Sequence, residues 1–145
     1  MRTSWLIALF VAVLLAAVVA MPSAAGGGAA VAPVKGVVVY YFHGDVRCAT
    51  CRKLEAYTKE AVRTGFAEQL ASGAMSFHAV NVDETPNKHF ITDFQLTTKA
   101  VVVVEYANGK PVRHTNLNKI WQLVGNKDHF FAYVQAETRA VLKGA

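Results

Sequence analysis

The first 34 residues carry one charged side chain, Arg2, and a segment so poor in charge cannot form the surface of a soluble fold. Setting it aside leaves about 110 residues, a size that holds one compact core and excludes a multidomain enzyme or a repeat array. The formal net charge of +5 raises the question of nucleic acid, but no run of five or more Lys/Arg occurs. Acids interleave with bases, as at Arg52-Lys53-Leu54-Glu55 and Lys59-Glu60, so a solvated mixed surface is expected and a nucleic-acid partner is not. No GxGxxG or P-loop is present, and no cofactor is expected. The two cysteines, without a second CxxC or an HxxxH, are too few to hold a structural zinc.

What the N-terminus does contain is one apolar run, Trp5 to Ala20, preceded by Arg2 and followed by Pro22-Ser23-Ala24-Ala25. A short basic start, an apolar stretch and small residues make a secretory signal. The run falls slightly short of the roughly 20 residues that span a bilayer, yet Met21 and the uncharged stretch to Val34 extend it. A cleaved signal and an uncleaved membrane anchor therefore both stand, with Gly26 to Ala30 as a flexible tether or mature end. The expected division is 1–34 for signal or anchor plus tether and 35–145 for the folded domain. That domain is expected outside the cytoplasm, in a periplasm or anchored on the outward face of a membrane.

From Lys35 onward, apolar extended runs alternate with amphipathic stretches, the pattern of a mixed α/β domain. Val37 to Phe42 (VVVYYF) reads as a strand buried on both faces and therefore central. Leu54, Tyr57, Ala61, Val62, Phe66 and Leu70 recur at helical spacing, which predicts one helix from Cys51 to Leu70. Gly73 ends it, and Met75 to Val82 predicts a second strand with Phe77, Ala79 or Val80 facing inward. After the break at Asp83 to Pro86 come a short helix over Asn87 to Phe94 and a strand over Ala100 to Tyr106. Asn108-Gly109 supplies the positive φ angles of a hairpin, returning Pro111 to Leu117 as an antiparallel edge strand. Lys119 to Leu142 closes the chain as one helix or a pair broken near Gly125, with Trp121, Phe130, Phe131 and Tyr133 as its core packing. The order is β-α-β-α-β-β-α.

Chemistry is concentrated in Cys48-Ala49-Thr50-Cys51, between the first strand and the long helix. A thiolate at a helix N-terminus meets free backbone N–H groups and the positive end of the helix dipole, which lower its pKa. Cys48 is thus the expected nucleophile and Cys51, a turn deeper, the residue that resolves a mixed disulfide. Arg47 and Arg52 flank the pair with positive charge. A static disulfide is the usual fate of paired cysteines in an exported protein. A bridge closing so short a loop, however, removes little entropy from the unfolded chain, which favours a redox couple.

Strand, CxxC, helix, then β-α, a β-hairpin and a terminal helix resemble the thioredoxin superfamily over residues 35–143. Val80-Asn81-Val82-Asp83 is similar to the family's second-strand ending and Asn108-Gly109-Lys110 to its hairpin turn. The resemblance implies a sandwich with a central mixed sheet, thiol–disulfide exchange, and a protein disulfide substrate or a redox partner protein, membrane-bound ones included. A narrower family is resembled by Tyr40-Tyr41-Phe42-His43-Gly44, by Arg47 through Lys53, and by Glu55-Ala56-Tyr57-Thr58. Asn87 through Ile91, Leu96-Thr97-Thr98-Lys99 and Ile120-Trp121 resemble it too. Some of its members are named as a nitrophenyl-compound nitroreductase subunit associated with arsenic-resistance gene clusters, which implies a redox accessory role in a larger reductase.

Two departures from the family's pattern matter. Thioredoxins place a cis-proline before the third strand, facing the dithiol, and Thr98 stands at that position here. That proline helps dock extended peptides and keeps metals off the thiols, so its loss opens an alternative in which the dithiol binds a soft ion such as arsenite, with Cys48, Cys51 and His43 as ligands. The family's buried acid is replaced by Phe42, leaving Asp45, His43 or Glu55 as candidate general bases. Thr98 and Lys99 are expected to face the dithiol, where Lys99 would favour a thiolate or an anionic substrate; a solvated loop lysine fits the sequence equally. His78, His89, His114 and His129 lack ligand spacing.

Overall fold

The computed structural model describes residues 35–144, so the signal or anchor reading of 1–34 lies outside the described residues. Strand β1 (Lys35–His43) is followed by α1 (Ala49–Gly65), α2 (Ala67–Ala71), β2 (Met75–Asn81), a short 3-10 turn (Thr85–Asn87) and α3 (His89–Asp93). Then come β3 (Ala100–Ala107), β4 (Lys110–Asn116), α4 (Ile120–Leu123) and α5 (Lys127–Lys143). The four strands form one sheet in the order β2-β1-β3-β4. β1 runs parallel to β2 and antiparallel to β3, which pairs antiparallel with β4. This is the α/β architecture with a mixed central sheet that the residues imply.

The sequence of β1 explains its place. Val37 to Phe42 are at most 1% exposed, which requires cover on both faces, and alternation sends successive side chains to opposite sides. Val37, Val39 and Tyr41 join Leu54, Ala61 and Val62 of α1 and Phe130, Val134 and Val141 of α5 in one apolar cluster. Val38, Tyr40 and Phe42 face the other way, onto Phe90 of α3, Phe94, Val102, Val104 and Tyr106. In this second layer the rings of Tyr40 and Phe42 stack 5.1 Å apart. The Tyr40 and Tyr106 hydroxyls satisfy one another at 3.0 Å, so two buried phenols avoid unpaired oxygens.

The single long helix expected from Cys51 to Leu70 is instead two, α1 starting at Ala49 and ending at Gly65. Phe66 leaves helical geometry (φ −143°, ψ 38°) while its side chain stays 3% exposed in the core. A Cβ on Gly65 would stand 2.7 Å from the Gln135 side chain of α5, and Gln135 Nε2 donates to Ala61 O at 3.0 Å. The Gln135 side chain of α5 thus packs directly on Gly65 where the helix stops. The closing segment takes the broken form, and Trp121 differs from its expected core role: it is 37% exposed on α4, its indole donating to Lys99 O at 3.0 Å. Asn108 and Gly109, at φ 53° and 73°, make the hairpin turn, and β4 is an exposed edge carrying Pro111. β2 divides its side chains between layers, Phe77 packing with the α1/α5 cluster and Val80 with the aromatic one.

Candidate dithiol site

β1 delivers the chain to a short loop, and α1 begins two residues after Arg47. Cys48 is the N-cap of α1 in extended geometry (φ −72°, ψ 165°). Its Sγ accepts the Cys51 N–H at 3.0 Å, and its carbonyl accepts the Arg52 N–H at 3.0 Å. The first turn holds no acidic residue, so nothing there competes with sulfur for the positive end of the helix dipole. Cys48 and Cys51 are joined in a disulfide with their Cα atoms 5.0 Å apart. Cys48 is exposed, whereas Cys51 is 2% exposed. An incoming thiol or disulfide therefore meets Cys48 and not Cys51.

Tyr41 reaches up from β1 and donates its hydroxyl to Cys51 O at 2.7 Å. Burial pushes this phenol above its ordinary pKa and the nearby Arg47 charge draws it partly back, leaving it protonated and able to donate at neutral pH. Sequence reasoning missed this contact, although the period-2 alternation of VVVYYF places Tyr41 on the α1 side.

Arg47 is clamped from two directions. Its guanidinium pairs with Glu55 of α1 and stands 3.2 Å from His43 Nε2. His43 Nδ1 lies 2.9 Å from Gly44 O, so both ring nitrogens are engaged. Below them, Asp45 N donates to Asp83 Oδ2 at 2.7 Å, and Asn81 Nδ2 donates to Asp45 Oδ1 at 2.7 Å. Gly44 lies against this carboxylate, where a Cβ would stand 2.5 Å from Asp83 Oδ2 and push it aside. Of the candidate bases, Glu55 is committed to Arg47 and Asp45 to Asn81, and Phe42 at the end of β1 is an apolar ring at 1% exposure.

Thr98 and Lys99 share a cleft with His43. With Gly44, Asp83 and Thr97 they line a cleft of about 300 Å³ floored by Phe42, Val82, Ile91 and Leu96. Neither Cys48 nor Cys51 lines it. No cis peptide bond occurs among the described residues, so the chain passes Thr98 in the trans form. Among the described residues no group of three or more His, Cys, Asp or Glu stands ready to hold a metal ion.

Comparison with known proteins adds little to this geometry. No family model matches the chain, and no curated protein matches it. Among solved structures, the chain is similar to the oxidised thioredoxin of Plasmodium falciparum, 22% identical, over 61% of this chain and 78% of that one, with a TM-score of 0.38. Oxidised mitochondrial thioredoxin 3 of Saccharomyces cerevisiae is 18% identical over 63% and 77%, with a TM-score of 0.37. The thioredoxin of Fasciola hepatica is 21% identical over 63% and 81%, also at 0.37.

Proposed function

We propose that this chain is a thiol–disulfide oxidoreductase working through Cys48 and Cys51. The observation that carries the reading is the asymmetry of the pair: an exposed cysteine at the N-cap of α1 bonded to a buried one. Starting from the reduced dithiol, the Cys48 thiolate attacks one sulfur of a substrate disulfide, forming a mixed disulfide and releasing the first substrate thiolate. The Cys51 thiolate then attacks the Cys48 sulfur, closing the disulfide and releasing the second substrate thiolate. Two electrons pass to the substrate, and the protons lost by the two cysteines balance those taken up by the two thiols released. Run backwards, the same steps oxidise a substrate dithiol.

The substrate class is a protein disulfide or a redox partner protein, and the apolar N-terminus supports placement outside the cytoplasm, secreted or tethered to a membrane. Membership as an accessory subunit of a larger reductase rests on the resemblance to the nitrophenyl-compound nitroreductase subunits. Reduction of a nitro compound would require a cofactor-bearing partner, since a dithiol alone supplies only exchange chemistry. The test is a redox titration of the full chain in glutathione and dithiothreitol buffers with thiol trapping. A reversible two-electron couple at roughly −120 to −270 mV is the expected result. A dithiol that does not reoxidise reversibly but retains arsenite stoichiometrically would overturn the reading in favour of soft-ion capture, which the absence of proline before β3 supports.

A further inference from the structure

We infer that Glu55 sets the reduction potential of the dithiol through Arg47, as a positioning residue that holds the arginine's charge away from Cys48. The inference rests on the oxidoreductase reading above and deepens it. Adjacency in sequence makes Arg47 a stabiliser of the Cys48 thiolate; the folded geometry spends its guanidinium elsewhere. One terminal nitrogen pairs with Glu55 and the other faces His43 Nε2 at 3.2 Å. Gly44 O can only accept, so His43 Nδ1 carries the hydrogen toward it, and Nε2 is left to accept from Arg47. The remaining guanidinium nitrogen, Nε, is enclosed without a partner.

The Arg47 and Glu55 side chains are 28% and 27% exposed, shielded enough that solvent does not erase the pairing. Glu55 is the first acid of α1, a helical turn beyond Cys51. Arg52 and Lys53 are exposed and screened by water, and Asp45 is held by Asn81. The Glu55–Arg47 pair is thus the partly shielded ion pair that joins the residue before Cys48 to α1. A freed Arg47 would favour the thiolate and hence the reduced protein; an unpaired Glu55 would do the reverse.

The test uses the full chain as parent, Glu55→Gln, Arg47→Gln and the double variant, each equilibrated with glutathione and glutathione disulfide. The exchange converts dithiol plus one glutathione disulfide into protein disulfide plus two glutathiones. Glu55→Gln is expected to move the equilibrium constant about tenfold toward the reduced dithiol, a rise of about 30 mV. Arg47→Gln should move it by a similar factor toward the disulfide, Arg47→Lys should recover most of that loss, and the double variant should return close to the parent. In parallel, the pH profile of Cys48 alkylation by iodoacetamide in the reduced chain should shift down for Glu55→Gln and up for Arg47→Gln. Single variants that shift in the same direction, or not at all, overturn the inference, as does a double variant that differs from the parent by as much as either single one. A parent with no reversible couple defeats the oxidoreductase reading instead, while the alkylation profiles still decide the role of Glu55.

Discussion

α1 and α5 are the same length, 17 residues each, pack against the same face of the sheet and begin with the same device. In α1 the Cys48 side chain accepts the N–H of Cys51; in α5 the Asn126 side chain accepts the N–H of His129, both at 3.0 Å. They part in what surrounds the cap. α5 places Asp128 in its first turn, where a carboxylate gains from the helix dipole, while the first turn of α1 has no acid. An ordinary helix spends its positive end on its own stability. α1 leaves that end to a sulfur that must sometimes carry charge, and the comparison separates what is needed for folding from what is needed for chemistry.

Cys48→Ser breaks the comparison most completely. Serine is a strong N-cap, so the variant should match the reduced parent in urea unfolding under dithiothreitol while losing thiol–disulfide exchange altogether. A variant that still turns over a disulfide substrate would sink the assignment of Cys48. Thr50→Asp gives α1 the first-turn acid that α5 has. It should slow alkylation of Cys48 at neutral pH about threefold while stabilising the reduced protein by about 0.5 kcal/mol, opposite signs that a general perturbation of folding would not produce.

Asn126→Ala removes the cap of α5 and should cost about 1 kcal/mol in chemical unfolding, with the redox titration of the dithiol unchanged. The smallest effect lies away from both helix starts. Burial holds the pKa of His78 below its ordinary value, so the unfolded chain takes up this proton first as pH falls below about 6.5. Stability should then decline as the pH drops through that value until the folded-state pKa is reached. His78→Gln should flatten that acid slope in melting curves taken between pH 7 and pH 5, leaving the curves at pH 8 superimposable.

The central strand, the hairpin at Asn108-Gly109 and the dithiol at a helix start were legible because each is written in adjacent residues: an uninterrupted apolar run, a turn dipeptide, a CxxC before an amphipathic stretch. Periodicity carried α1 and α2 together through Leu70 because Phe66 keeps its inward phase while its backbone leaves the helix. The Gln135 side chain that packs beside that break sits on another element. The pairing of Arg47 with Glu55 was hidden for a similar reason, since Arg47 lies outside the helix and the i,i+4 rule for ion pairs does not reach it. Likewise Asp45, Asn81 and Asp83 meet only because β1 and β2 end side by side. Trp121 was read as core packing for the last helix, but its polar N–H found the Lys99 carbonyl at the surface.

The position of β1 at the centre of the sheet also bears on how the chain is made. Val39 is synthesised well before Phe77, its partner on β2, and longer still before Val103 on β3. Until those strands emerge from the ribosome, VVVYYF is free of charge and proline and exposes both backbone edges, a composition that pairs readily with its own copies. The pairing that makes the native sheet is non-local, which slows its formation. Production of this protein should therefore depend on keeping nascent chains apart, and lower temperature or more chaperone should raise soluble yield more than any change at the dithiol.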